Sequence, residues 1–186
     1  YVDLTGTLPT PTQVQEFLAD KSANKRDKLI DRLVETPEYS YYFANRWADV
    51  LRVKRGNNQP QRAFGTFAFH SWIRESIAND KPYDQFVREL LTARGSTWDN
   101  GAAVMFRDRR APPELTTIVS QLFLGIRLEC ARCHHHPFEK WGQDDFYSFA
   151  AYFARIGRKG QGISAPISGG EETSLVGKSG SVEHPL

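Results

Sequence analysis

Both cysteines of this chain and three of its five histidines fall in LECARCHHHPF, residues Leu128 to Phe138. No other cysteine exists to partner either one, so Cys130 and Cys133 must share a job. Cys130-Ala131-Arg132-Cys133-His134 reads C-x-x-C-H, the attachment signature of c-type haem. Two thiols three residues apart can add to the two vinyl groups of one porphyrin, and the adjacent imidazole then lies under the iron as proximal ligand. For two cysteines placed at random among 186 residues with five histidines, this arrangement arises roughly 3 times in 10,000. The spacing predicts one covalent haem c, with Cys130 and Cys133 as the thioether residues and His134 on the iron.

Three other chemistries use the same side chains. A zinc site would take Cys130, Cys133, His136 and a distant His70 or His184, but structural zinc sites more often show a second ligand pair at short spacing, which is missing. A redox-active C-x-x-C normally accompanies a βαβ pattern, which a helical sequence does not provide. A purely structural disulfide between the two cysteines is the third.

The remaining histidines sort by reach. Two imidazoles on opposite faces of one haem place their α-carbons roughly 12 Å apart, whereas residues one or two positions apart are separated by at most about 7 Å. Neither His135 nor His136 can therefore lie trans to His134. His136 is suited to a propionate or to hydrogen bonding around the site, and His135 is expected to face solvent. A sixth ligand, if one exists, falls to His70, Met105 or His184. Met105 in AAVMF reads as an ordinary core methionine and His184 as a surface residue of the tail. His70, between Phe69 and Trp72, is the candidate distal ligand, with a satisfied core histidine as its alternative.

Phe123, Phe138, Trp141, Phe146 and Phe149 flank the motif and could form an apolar haem wall that raises the reduction potential. Arg127, Arg132 and Lys140 could pair with the propionates.

These residues need elements to position them. Thr10-Pro11-Thr12-Gln13 is a capping-box pattern with Pro at the first helical position, followed by Val14, Phe17 and Leu18. Leu29, Ile30, Leu33 and Val34 repeat the helical spacing. Thr36-Pro37-Glu38 starts a third helix through Val50. Gly56 to Gln61, GNNQPQ, is a loop by composition. Phe67, Trp72, Ile73 and Ile77 predict a fourth helix, and Asp80-Lys81-Pro82 starts a fifth with Phe86, Val87, Leu90 and Leu91 inward. Gly95 to Ala102 reads as a loop. Pro112-Pro113-Glu114 opens a helix expected to run to about Ile126 or Leu128, directly into the motif. Gln143-Asp144-Asp145 supplies an acidic first turn to the last helix, favourable at its positive end. From Gly157 the composition turns to Gly, Ser and Pro, with one hairpin expected in SLVGKSGSVE. The expected fold is all-α, about seven helices around the haem: a helical haem c-binding domain over 1–156 and an extended tail or linker over 157–186.

Composition sets the outer limits. Hydrophobic residues are 40%, enough for one sizeable core, and a net charge of +2 gives no reason to propose nucleic acid as partner. Arg52/Lys54/Arg55 and Arg107/Arg109/Arg110 are basic clusters that read as solvated faces. No apolar run approaches the roughly 18 residues of a membrane span. YVDLTGTLPT has no initiator Met and no leader pattern, as expected of a piece of a longer polypeptide.

Several blocks, in order, resemble the planctomycete-type cytochrome family, specifically its second cytochrome-like domain. They are Tyr1 to Asp20, Leu29 to Arg52, Asn79 to Ser96 and, most strongly, Ser120 to Gly157. In the last block Cys130, Cys133, His134, His136, Pro137, Phe138 and Trp141 fall on the family pattern. The resemblance implies an exported, periplasmic or cell-surface haem-c domain joined to other modules, with a neighbouring domain or a separate protein as redox partner. The motif lies after five or six helices rather than near the start, and no Met-containing ligand loop follows it, which argues against Met as sixth ligand. The leading expectation is an electron-transfer module. The alternatives are a haem enzyme or sensor with an open sixth position and a zinc-stapled interaction module.

Overall fold

Pro11, Pro37 and Pro112 each stand in the first turn of a helix, where a missing N–H leaves nothing unpaired. The computed structural model describes residues 1–54, 62–159 and 173–184. Its helices run α1 (Val2–Thr5), α2 (Pro11–Ala19), α3 (Lys25–Val34), α4 (Pro37–Val50), α5 (Arg62–Ala78) and α6 (Tyr83–Thr92). After a short strand β1 (Gly95–Ser96) come α7 (Val104–Asp108), α8 (Pro112–Phe123) and α9 (Gln143–Ala151), then strands β2 (Ile156–Lys159) and β3 (Thr173–Val176). The all-α expectation holds, with nine helices among the described residues instead of about seven. The additional ones, α1 and α7, have only four and five residues, too short to show a period. The expected loop Gly56 to Gln61, and Arg55, lie outside the described residues.

At α2 the capping box forms as its sequence requires. The Thr10 hydroxyl accepts from the Gln13 N–H at 3.3 Å, and the Gln13 side chain accepts from the Thr10 N–H at 2.8 Å. The main core lies where α4 crosses α5. Ala44 and Ile73 are fully buried there, and the Trp72 and Phe86 rings stack at 4.6 Å between centroids. Gly101 permits the next segment to approach: a Cβ there would lie 2.1 Å from the Ala68 carbonyl oxygen of α5.

Three expectations are corrected. The helix expected to run into the motif stops at Phe123, because Gly125 takes a left-handed φ of 68° and the Ile126 N–H returns to the Ser120 carbonyl. The hairpin expected within SLVGKSGSVE does not form. Its first residues belong to β3, the central strand of an antiparallel sheet in the order β1-β3-β2. Partners from two remote segments satisfy the β3 backbone, and β2 spans the junction of Ile156 and Gly157. Finally, Arg107 and Arg109 do not lie on a solvated face. They are 2% and 8% exposed and donate to the Lys54 and Leu51 carbonyls at 3.4 and 2.6 Å, tying down the chain after α4.

A second, smaller core adjoins the first through Phe149. Leu128, Ala131 and Phe146 are buried in it, with Ile126, Trp141, Tyr147 and Phe149 packed around them. No helix among the described residues is long and apolar enough to cross a membrane.

Candidate functional site

The cysteine motif is built on the small core. After Gly125 the chain forms a 3-10 turn, Leu128–Arg132, against α8 and α9. Leu128 and Ala131 point inward at 5% and 0% exposure, which turns Cys130, half-buried, and Cys133, exposed, outward. Cys130 lies in this turn and Cys133 caps its C-terminal end three residues on. The Cys133 N–H returns to the Cys130 carbonyl at 3.5 Å, and both cysteines are free thiols.

Helix α9 straps this turn from outside. Gln143 Nε2 and Tyr147 Oη donate to the Arg132 carbonyl at 3.2 and 3.4 Å. These two residues were missed as site residues. Their spacing of four puts them on one helical face, but the carbonyl they reach is set only by tertiary packing.

The imidazoles that follow differ in state. His134 Nδ1 lies 2.5 Å from the His135 carbonyl oxygen. A carbonyl only accepts, so Nδ1 carries a hydrogen, and in the neutral ring the lone pair is on Nε2. His136 is the reverse: its Nδ1 accepts from the Phe138 and Glu139 N–H groups at 3.2 and 3.0 Å, which puts the hydrogen on Nε2. The His136 N–H donates to the Trp141 carbonyl at 2.7 Å and closes the loop. His135 is exposed, as expected, with its ring over Gly142.

Beside the turn lies a largely apolar cleft of ≈ 240 Å³ lined by Leu124, Ile126, Leu128, Trp141 and Phe149, with Ser120, Asp145 and Ser148 also in its wall. Of the five aromatics expected as a haem wall, Trp141 and Phe149 line this cleft. Phe138 stands 92% exposed in the loop, Phe146 fills the small core and Phe123 packs against the main one. Trp141 is fixed by its Nε1–H bond to Glu139 at 2.8 Å and by the Lys140 ammonium 5.0 Å from its ring centroid. Leu124 and Ile126 were not anticipated, because the helix was expected to continue through them.

The family model described as PSCyt2, protein of unknown function (DUF1549), matches residues 1–158. The chain belongs to this family. The match bears out the resemblance to the planctomycete-type cytochrome family read from the sequence blocks. No curated protein and no solved structure matches the chain.

Elsewhere in this PSCyt2-family chain the other candidate ligands have their own partners. His70 Nε2 is 2.9 Å from Asn45 Oδ1, so it donates to α4. Burial, and secondarily the Arg74 charge, holds its pKa below the usual histidine value. Met105 is 1% exposed in the main core, the ordinary core role expected of it. His184 docks on α9, its ring 4.9 Å from Tyr147 and its Nε2 3.3 Å from Asp144. Among the described residues no group of three or more His, Cys, Asp and Glu side chains converges as a metal site, so the four proposed zinc ligands are not brought together. The proposed propionate partners Arg127, Arg132 and Lys140 are all exposed, and Arg132 lines a second cleft beside α8.

Proposed function

We propose that this chain is a c-type cytochrome domain that carries one covalent haem on Cys130 and Cys133 and serves as an electron-transfer module of a larger exported protein. The observation that carries the reading is the placing of two free thiols on one turn and its C-terminal cap, directly before an exposed His134 whose Nδ1 is held by the His135 carbonyl. Each residue fits the group chemically. The thiols are unpaired nucleophiles, His134 is in the tautomer a ligand needs, and the adjacent cleft and Phe138 offer apolar surface to a porphyrin.

When bound, haem supplies one-electron chemistry at its iron. The chain contributes the rest. The His135 carbonyl orients the His134 ring through Nδ1, while the His136 Nε2–H is left to donate to a carboxylate. Gln143 and Tyr147 hold the peptide between the cysteines still. An electron donor or acceptor would be a neighbouring domain or a separate protein reached from the exposed face of the turn.

One observation favours a second reading, a haem with an open sixth position handling a small oxidant or ligand. His70, the best candidate distal ligand, already donates from Nε2 to Asn45, and Met105 is enclosed in a different core. The visible spectrum of protein matured with the c-type haem machinery decides between them. A six-coordinate low-spin spectrum supports electron transfer, a high-spin spectrum supports the open site, and the absence of a Soret band removes both.

A further inference from the structure

We infer that the cleft between the end of α4 and the start of α8 is a binding site for a small oxyanion, a carboxylate or a phosphate. It has a volume of ≈ 340 Å³, within the range of small-ligand pockets. Arg52, Lys54, Arg109 and Arg132 line it together with the carboxylates of Glu114 and Glu129, four cationic side chains to two anionic ones. Glu114 is also partly committed, because its Oε2 accepts from the Arg110 and Ala111 N–H groups to cap α8.

The site is built rather than merely basic. Arg109 forms its floor, 8% exposed and held at 2.6 Å on the Leu51 carbonyl. Arg107 grips a second carbonyl of this segment, that of Lys54, and the Thr66 hydroxyl donates to it at 2.8 Å. Arg52, between the two anchored carbonyls, has φ of 50°, in the left-handed region that a non-glycine residue occupies only at a cost. The strained, anchored backbone presents Arg52 and Lys54 to the cleft, and Arg132 enters from the cysteine turn. Guanidinium groups suit planar or tetrahedral oxyanions through paired N–H donors.

Two sources could supply that chemistry: the propionates of a haem on the neighbouring cysteines, or a free small anion. The inference needs only the cleft, and so stands or falls apart from the haem reading. The full chain, verified as helical by circular dichroism, is titrated with inorganic phosphate and with citrate while the arginine Nε–H resonances are followed. Chloride at matched ionic strength serves as control. In haem-free protein the expected result is saturable binding that moves the Arg52, Arg109 and Arg132 signals. A folded Arg52→Gln/Arg132→Gln variant should bind at least about tenfold more weakly, and Arg88→Gln, on the exposed face of α6, should bind like the parent. Binding that persists after haem loading identifies a free anion as the ligand, and binding abolished by loading identifies the propionates. A chain that takes no haem yet binds phosphate refutes the cytochrome reading and keeps this one. Responses no larger than those to chloride, or undiminished affinity in the double variant, overturn it.

Discussion

His134 and His136, two residues apart, are held in opposite tautomers by the backbone around them. The His135 carbonyl keeps the hydrogen of His134 on Nδ1, and the Phe138 and Glu139 N–H groups keep that of His136 on Nε2. One ring therefore offers a lone pair and the other a donor, an assignment that follows from partners able only to accept or only to donate. In haem-loaded protein His136→Ala should leave the spin state unchanged and shift the reduction potential, whereas His134→Ala should alter the spin state. Visible spectra and a potentiometric titration of both variants check this. A spin-state change in His136→Ala alone would refute the division of roles.

The motif depends on its own small core. Phe146 is fully buried beneath the turn with Leu128 and Ala131. Phe146→Ala should cost about 3–5 kcal/mol, read as a lower urea midpoint, and should loosen the turn that carries the cysteines. Tyr152→Ala, at an 81% exposed position of the segment after α9, should change the midpoint little.

The sequence was most legible where the signal is local. Prolines at first turns, the Thr10–Gln13 box and apolar spacing identified the long helices, because each is decided within a few residues. The C-x-x-C-H spacing was legible for the same reason, since the chemistry it implies demands neighbouring residues. The two- and four-residue strands were not, because β3 is specified by partners about 20 and 80 residues away in sequence. Gly125 ended α8 by backbone conformation alone, with no break in the apolar pattern around it. Arg107 and Arg109 looked like a charged surface because composition does not reveal the carbonyls that hold them. Sorting Trp141 and Phe149 into the cleft and Phe146 into the core required the packing of α8 on α9.

His70 gives the fold an acid sensitivity. Its pKa in the folded chain lies below the ordinary 6.5, chiefly from burial, so the unfolded chain takes up the proton first. Its contribution is complete above about pH 6.5 and is lost as the pH falls towards the folded-state value. Urea midpoints at about pH 8 and about pH 5 should differ less in His70→Gln than in the parent. An equal difference in both proteins would show that His70 plays no part in it.

Gly101→Ala should be among the more damaging single-methyl changes. The new Cβ would meet the Ala68 backbone, which belongs to a long helix and cannot rotate aside. A loss of about 1–3 kcal/mol is expected from overpacking, measured by thermal or urea unfolding. Gly125→Ala should also destabilise, through its left-handed φ rather than through a clash, since nothing lies within 4 Å of its added Cβ.

Covalent attachment through the two thiols is the central claim, and denaturing mass spectrometry of the chain, co-expressed with the c-type haem machinery and extracted with acid and organic solvent, tests it most directly. The parent should retain one haem per chain after extraction, and Cys130→Ala/Cys133→Ala should retain none. Haem that washes out of the parent, or that stays bound to the double variant, would contradict the account.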